Sequence, residues 1–261
     1  MPDQPTDIAT TPAPAVPAMP LFYSRPRPLE PAVHGQRRLR ENPSFGFAAH
    51  ANSVPLNGAE FGAALRHYPI VFAGSPIPFP TAVLGLRKDE NLFIDANGRW
   101  TDGTYVPAYI RRYPFLFIEA PGDRLILAID EASGFLVDDG NHRLFDDEGK
   151  PTALINGALQ FCGGFQQSHK ATLEFCQALV DEQMLVENQA NAQLPSGEKL
   201  SIGGFRIIDE KKINALPAAT LAHWRDKGWL AWSYAHLISL ASWNLLAPIA
   251  GKRGTTAATV N

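Results

Sequence analysis

A chain of 261 residues with 45% hydrophobic side chains is long enough to bury a sizeable core of its own. A formal charge of -3 and a pI of about 6.2 supply no global positive field, which argues against nucleic acid or anionic lipid as partners. Two cysteines, Cys162 and Cys176, are too few for a disulfide framework and read as small buried hydrophobes on helices.

The first segment, MPDQPTDIATTPAPAVPAMP, has neither a basic n-region nor a continuous apolar run, so it does not read as a Sec signal peptide. The expectation is a cytoplasmic protein, with signal-less export to the cell surface as the alternative. The Pro, Ala and Thr content of residues 1–20 cannot offset chain entropy, and this arm is expected to be disordered. Five arginines follow, at 25, 27, 37, 38 and 40, among prolines 26, 28 and 31. They read as solvated charge on extended chain, because no aromatic platform is interleaved with them.

In VPLNGAEFGAALRHYPIVFA, Asn57 is placed to cap a short helix, and Glu60, three residues on, to reach back to it. Strands are predicted at Ile70–Phe72, Thr81–Leu86 and Asn91–Ile94, and DANG at Asp95–Gly98 has turn chemistry with Gly98 suited to positive φ. HYPIVF at 67–72 is echoed by RYPFLF at 112–117, and NLFIDANGRW by RLFDDEGK at 143–150, which suggests two related β-meander units in one sheet system. After Pro151 the spacing turns helical. Thr152–Val186 is interrupted at Gly163-Gly164, with Leu173, Cys176, Leu179 and Val180 along one face. Strand-like alternation returns over Leu194–Ile208. Asp209 can then cap a helix to Ile213, and Pro217 can start another that reaches Lys227, with Gly228 as breaker.

The stretch WLAWSYAHLISLASWNLLA, Trp229–Ala247, is uncharged and as long as a membrane span. Ser233, His236, Ser239, Ser242 and Asn244 would be penalised in hydrocarbon, and the tryptophans do not collect at its two ends. A helix buried in a globular core is therefore expected, with no integral membrane span. The fold class is α+β: a mainly antiparallel β portion to about residue 150, possessing the two meander units, packed with a helix-rich portion after it. The expected organisation is the arm 1–20, one domain over 21–250 and a flexible tail over 251–261.

No GxSxG elbow, P-loop, HExxH, Rossmann fingerprint or paired CxxC occurs, so no catalytic residue is nominated. DANG and DDGN lack EF-hand spacing and read as hairpin turns. His169, His223 and His236 with the two cysteines miss the short ligand spacings of a metal site, and neither metal nor cofactor is expected. The most suggestive segment is YVPAYIRRYPF, where Pro107 and Pro114 bracket a turn able to hold Tyr109, Arg111 and Arg112 rigidly. A planar guanidinium there could recognise carboxylate or phosphate. The alternative is an arginine salt-bridged to an acid such as Asp130. His236 completes the candidate ligand-binding residues, and it also reads as a core histidine bonded to backbone or a nearby serine.

VPLNGAEFGAALRHYPIVF, YVPAYIRRYPF and GGFRIIDEKKINAL followed by LAWSYAHLISL together resemble the SapC family of bacterial proteins, over about Phe22 to Leu246. The resemblance implies an association with surface layers and with TonB-linked uptake, and it carries no catalytic residue. A peptide-transporter permease sharing the name needs several membrane spans, which this chain does not offer. The leading expectation is a non-catalytic accessory or binding protein whose partner is a protein or peptide of a cell-envelope or uptake system. The alternative is an enzyme or enzyme partner acting on a small acidic or peptidic substrate, with Arg111 and Arg112 as anion clamps and His236 or His169 as acid–base.

Overall fold

The structure, a computed structural model, describes residues 19–41, 44–194 and 196–258. Except for Met19 and Pro20, the arm expected over residues 1–20 lies outside the described residues, as do residues 259–261 of the expected tail. In chain order the strands are β1 (Pro26–Pro28), β2 (Arg38–Leu39), β3 (Ser53–Pro55), β4 (Ile70–Ala73), β5 (Phe79–Val83), β6 (Phe115–Ala120), β7 (Arg124–Asp130), β8 (Leu136–Val137), β9 (His142–Arg143), β10 (Leu185–Gln193) and β11 (Lys199–Ile208). The helices are α1 (Pro31–His34), α2 (Phe61–Ala64), α3 (Ala108–Arg111), α4 (Ala153–Asp181), α5 (Glu210–Asn214), α6 (Ala218–Asp226), α7 (Trp229–Ser239) and α8 (Trp243–Ala258).

The architecture is α+β, as the order of sequence signals predicts, and the strand pairings are antiparallel. One sheet has the order β10-β11-β4-β5-β3, and two smaller ones are ordered β1-β7-β6 and β8-β2-β9. The internal echo survives at the turns and fails at the sheets. Asp95 and Asp146 each accept two backbone N–H groups on Oδ1, from Asn97 and Arg99 and from Glu148 and Lys150, so the loops are equivalent. The strands after the two Tyr-Pro steps, β4 and β6, nevertheless lie in different sheets, because β4 is paired by the β10–β11 hairpin from the far half of the chain. The expected strand Asn91–Ile94 reduces to a single bridge between Ile94 and Trp100.

Helix α4 runs for 29 residues and is not interrupted at Gly163-Gly164. A Cβ at either glycine would meet nothing within 4 Å, so the pair weakens helix propensity without disturbing packing. Its buried face is Ile155, Cys162, Phe165, Thr172, Phe175, Cys176 and Leu179, whereas Leu173 and Val180, expected there, are 38% and 37% exposed. The first half packs into a core with Leu39, Phe115, Ile129 and Leu144. Its second half enters the larger core, where the fully buried Phe175 ring meets Phe72, Trp224, Trp229 and Trp232. Truncating such a ring costs about 3–5 kcal/mol. Phe165 lies between the two cores, at the middle of the helix.

The long apolar stretch is two helices rather than one, broken by a 3-10 turn at Leu240–Ser242. Among the described residues no helix is long and apolar enough to cross a membrane. Beside the apolar Trp229 and Leu246, the side chains turned inward are polar, Ser233, His236, Ser239 and Ser242, while Tyr234, Ile238 and Leu245 are exposed. Each inward polar group has backbone work. His236 Nε2 accepts the Ile208 N–H at 3.1 Å, Ser239 Oγ accepts the Ile70 N–H at 3.0 Å, and Ser242 Oγ donates to the Leu65 carbonyl at 2.9 Å. Amides at the ends of β11 and β4 thus find partners on α7. Helix α8 continues to Ala258, so most of the expected tail 251–261 is helical. Arg253 holds it down by donating to the carbonyls of Asn91, Leu92 and Ile94.

A second buried polar anchor is Glu60. Its Oε2 accepts the Asn57 N–H at 2.9 Å, which is the reach-back predicted from their spacing. Its Oε1 accepts the Ala108 N–H at 2.6 Å and the Tyr105 hydroxyl at 2.9 Å, fastening the start of α3 to the loop before α2. Burial raises its pKa, against which these donors act.

Burial also holds the His236 pKa down to about 4, against roughly 6.5 in an unfolded chain. As pH falls the unfolded state takes the proton first, so this contribution is complete above about pH 6.5 and is lost between there and about pH 4, by on the order of 3 kcal/mol. His236→Gln keeps an acceptor for the Ile208 amide but cannot charge. Urea midpoints measured across that interval should show a flatter slope for the variant, and an unchanged slope would show that another group governs acid lability. Glu60→Ala leaves three buried donors unpaired and should cost about 3 kcal/mol or more by urea denaturation, with Glu60→Gln costing less than half of that. Equal losses for the two variants would contradict the role given to its acceptor oxygens.

Candidate functional site

Pro107, with φ -54° and ψ 140°, sets the direction of entry into α3, a single turn in which Arg112 N–H closes on the Ala108 carbonyl at 3.0 Å. Pro114 follows a cis peptide bond after Tyr113, and β6 starts directly beyond it. The two prolines bracket the turn as the sequence suggests. Tyr109 and Arg112, three residues apart, therefore share one face of it.

The Arg112 guanidinium sits 4.3 Å from the Tyr109 ring centre and 4.4 Å from that of Phe165, with Tyr23 at 5.5 Å. The Tyr109 and Phe165 planes meet at 61°, so the cation occupies an aromatic corner built by α3 and the middle of α4. Its buried Nε has no hydrogen-bond partner among the described residues. Arg111 lies over Phe161 at 5.1 Å and Tyr105 at 5.5 Å. It donates from Nε to the Val106 carbonyl and from one terminal nitrogen to the Tyr105 hydroxyl, both at 2.9 Å, and that hydroxyl donates to Glu60. A chain of hydrogen bonds thus runs from the buried carboxylate through Tyr105 to Arg111.

Neither arginine has a carboxylate partner among the described residues. The salt bridge to Asp130 offered as the bland alternative is not formed. Asp130 is fully buried and accepts the backbone N–H groups of Ser24, Arg25 and Ala132 and the Tyr113 hydroxyl, at 2.8–3.1 Å. With four donors satisfied, it has no need of a cation.

Arg111 and Arg112 look into a cavity of about 470 Å³, whose walls include Arg40, Phe115, Phe161 and Cys162. Among the described residues no aspartate or glutamate lines it, and the exposed His142 stands at its rim. Burial pushes the Cys162 thiol up to about 11, so it is protonated at neutral pH and is no nucleophile. An apolar chamber with three guanidinium groups and no acid suits a ligand with an apolar body and a carboxylate or other oxyanion.

Of the candidates nominated from sequence, the structure brings together Tyr109, Arg111 and Arg112, with Tyr109 supporting Arg112 from beneath. His236 is elsewhere, in the large core between α7 and the strands β4 and β11, against the edge of Phe72. His169 stacks on Phe165 at 6.2 Å, and burial together with the Arg112 charge lowers its pKa. It does not line the cavity. No group of three His, Cys, Asp or Glu close enough to hold a metal ion occurs among the described residues. The aromatic partners Phe161 and Phe165 were not read from sequence, although Phe161, Phe165 and His169 recur every four residues on α4 and so mark one stripe of it. Tyr23 and Arg40 give no local signal.

Compared with known proteins, the chain finds no match among curated proteins and none among solved structures. The SapC family model matches residues 29–246, a span that includes α3, all of α4 and each wall of the cavity named above. The chain belongs to the SapC family.

Proposed function

We propose that this SapC-family protein is a non-catalytic accessory protein that captures a partner through a carboxylate, which enters the cavity beside Arg111 and Arg112. The partner is a protein or peptide of a surface-layer or TonB-linked uptake system, met from the cytoplasm or after signal-less export. The observation that carries the reading is Arg112, a half-buried cation packed against aromatic rings with no acid paired to it among the described residues. Desolvating a charge costs several kcal/mol, of which cation–π contacts return about 1–2 each. A ligand carboxylate completes the balance, because paired guanidinium–carboxylate bonds are the strong ones. The enzymatic alternative has less support: His236 and His169 do not reach the cavity, and its thiol is held protonated.

Isothermal titration calorimetry with phenylbutyrate, a monocarboxylate with an apolar body, tests this directly. Saturable binding is expected, weakened at least about 10-fold in Arg112→Gln and for the neutral amide of the same acid, equivalent to about 1.4 kcal/mol. The urea midpoint of the variant serves as the control for folding. Equal affinity for acid and amide, or no effect of the substitution, would refute the proposal.

A further inference from the structure

A second cavity, of about 840 Å³, adjoins the first across a shared wall of Arg111, Tyr113 and Phe135. Its floor is aromatic, with Phe45, Phe47 and Trp100, and Phe45 packs edge-on to Trp100 at 5.8 Å. Its rim is the polar turn that carries Asn97, Thr101 and Thr104. The turn is held in shape by Asp95, and Gly98 is required there, because at φ +73° a Cβ would collide with Ser44 Oγ. Arg111 therefore stands between two chambers, each with aromatic walls, and not at the blind end of one. It is exposed, and its second terminal nitrogen makes no hydrogen bond within the described residues.

We infer that the ligand is an extended peptide segment laid across both cavities, with an acidic side chain against Arg111 and Arg112 and an apolar side chain in each chamber. This rests on the carboxylate-binding reading above and goes beyond it. A small carboxylate has its anion at one end and fills a single chamber of ordinary ligand size. A cation between two chambers selects a ligand whose anion lies mid-length with apolar groups on either side, which is the chemistry of an acidic residue flanked by large apolar ones in a linear peptide. Threonine and asparagine side chains on the second rim supply donors and acceptors for the peptide backbone, which must stay hydrogen-bonded as it leaves water. The second cavity carries Arg99 and Asp102, both exposed and opposite in charge, so the surplus positive charge facing the ligand is that of Arg111 and Arg112, and charge complementarity calls for an acid at that point.

The test uses fluorescence anisotropy with a capped, dye-labelled peptide of five residues, a central glutamate with phenylalanines on both sides, and phenylbutyrate as competitor. The variant is Asn97→Trp, which fills the second cavity from its rim at a side chain outside the first. The peptide should bind at least about 10-fold more tightly than phenylbutyrate, lose at least about 10-fold in Asn97→Trp and lose as much when its glutamate is replaced by glutamine. Phenylbutyrate affinity should be unchanged in that variant. A peptide no tighter than phenylbutyrate and indifferent to Asn97→Trp would overturn the two-chamber inference while leaving the carboxylate site standing. Indifference of both ligands to Arg112→Gln would instead remove the carboxylate site.

Discussion

The acids buried around the site are committed to amide and hydroxyl donors, and none is left for the arginines. Glu60 binds two backbone N–H groups and the Tyr105 hydroxyl; Asp130 binds three N–H groups and the Tyr113 hydroxyl. Both carboxylates thereby fix the loops from which α3 is built, one at its first residue and the other behind Tyr113. No carboxylate of the described chain therefore pairs directly with Arg111 or Arg112, and Arg111 meets Glu60 only through the Tyr105 hydroxyl. A buried acid that neutralised Arg112 would be a structural ion pair, whereas this arrangement leaves Arg112 available to the anion proposed above.

Helix α4 explains why the receptor lies where it does. It is the one element that enters both cores, and Phe165 sits midway between them, in reach of the α3 turn. The first half of the helix faces β6 within one core: α3 and β6 bring the arginines and Phe115, while α4 brings Phe161 and Cys162 to the cavity and Phe165 to the ring corner around Arg112. The aromatic rings hold Arg112 through face contacts that need no fixed hydrogen-bond geometry, which keeps donors of the fork open to a ligand. Against the large sheet the same economy of polar groups recurs. His236, Ser239 and Ser242 turn inward from α7 and the following turn because the ends of β4, β11 and α2 present amides and a carbonyl that nothing else satisfies.

What was legible in the sequence is local. Asn57 and Glu60 are three residues apart, Pro107 and Pro114 bracket a turn, Asp209 precedes a short helix and Gly228 takes φ +76°, and each of these works over a few residues. The α+β order is also legible, because strand-like and helix-like spacing occupy different parts of the chain. What was missed depends on distant partners. The two Tyr-Pro strands read alike, yet the pairing of β4 with β5 and of Phe72 opposite Arg206 puts β4 in a sheet β6 never meets. The apolar stretch reads as one helix, yet its polar members are drawn to backbone groups at Leu65, Ile70 and Ile208, and the helix breaks where they are met. The candidate site was half legible for the same reason: three of its residues lie in one short segment, and their aromatic and cationic neighbours come from positions 23, 40, 161 and 165.

The claim at the centre is that Arg111 and Arg112, which no carboxylate of the described chain contacts directly, are open to an anion from outside. Arginine side-chain NMR during a titration with phenylbutyrate measures this at the guanidinium groups themselves. The account predicts that the Arg111 and Arg112 signals move together and saturate, while the exposed Arg124 and Arg225 stay in place. Signals that do not move, or a parallel drift of all arginines such as ionic strength alone produces, would contradict it.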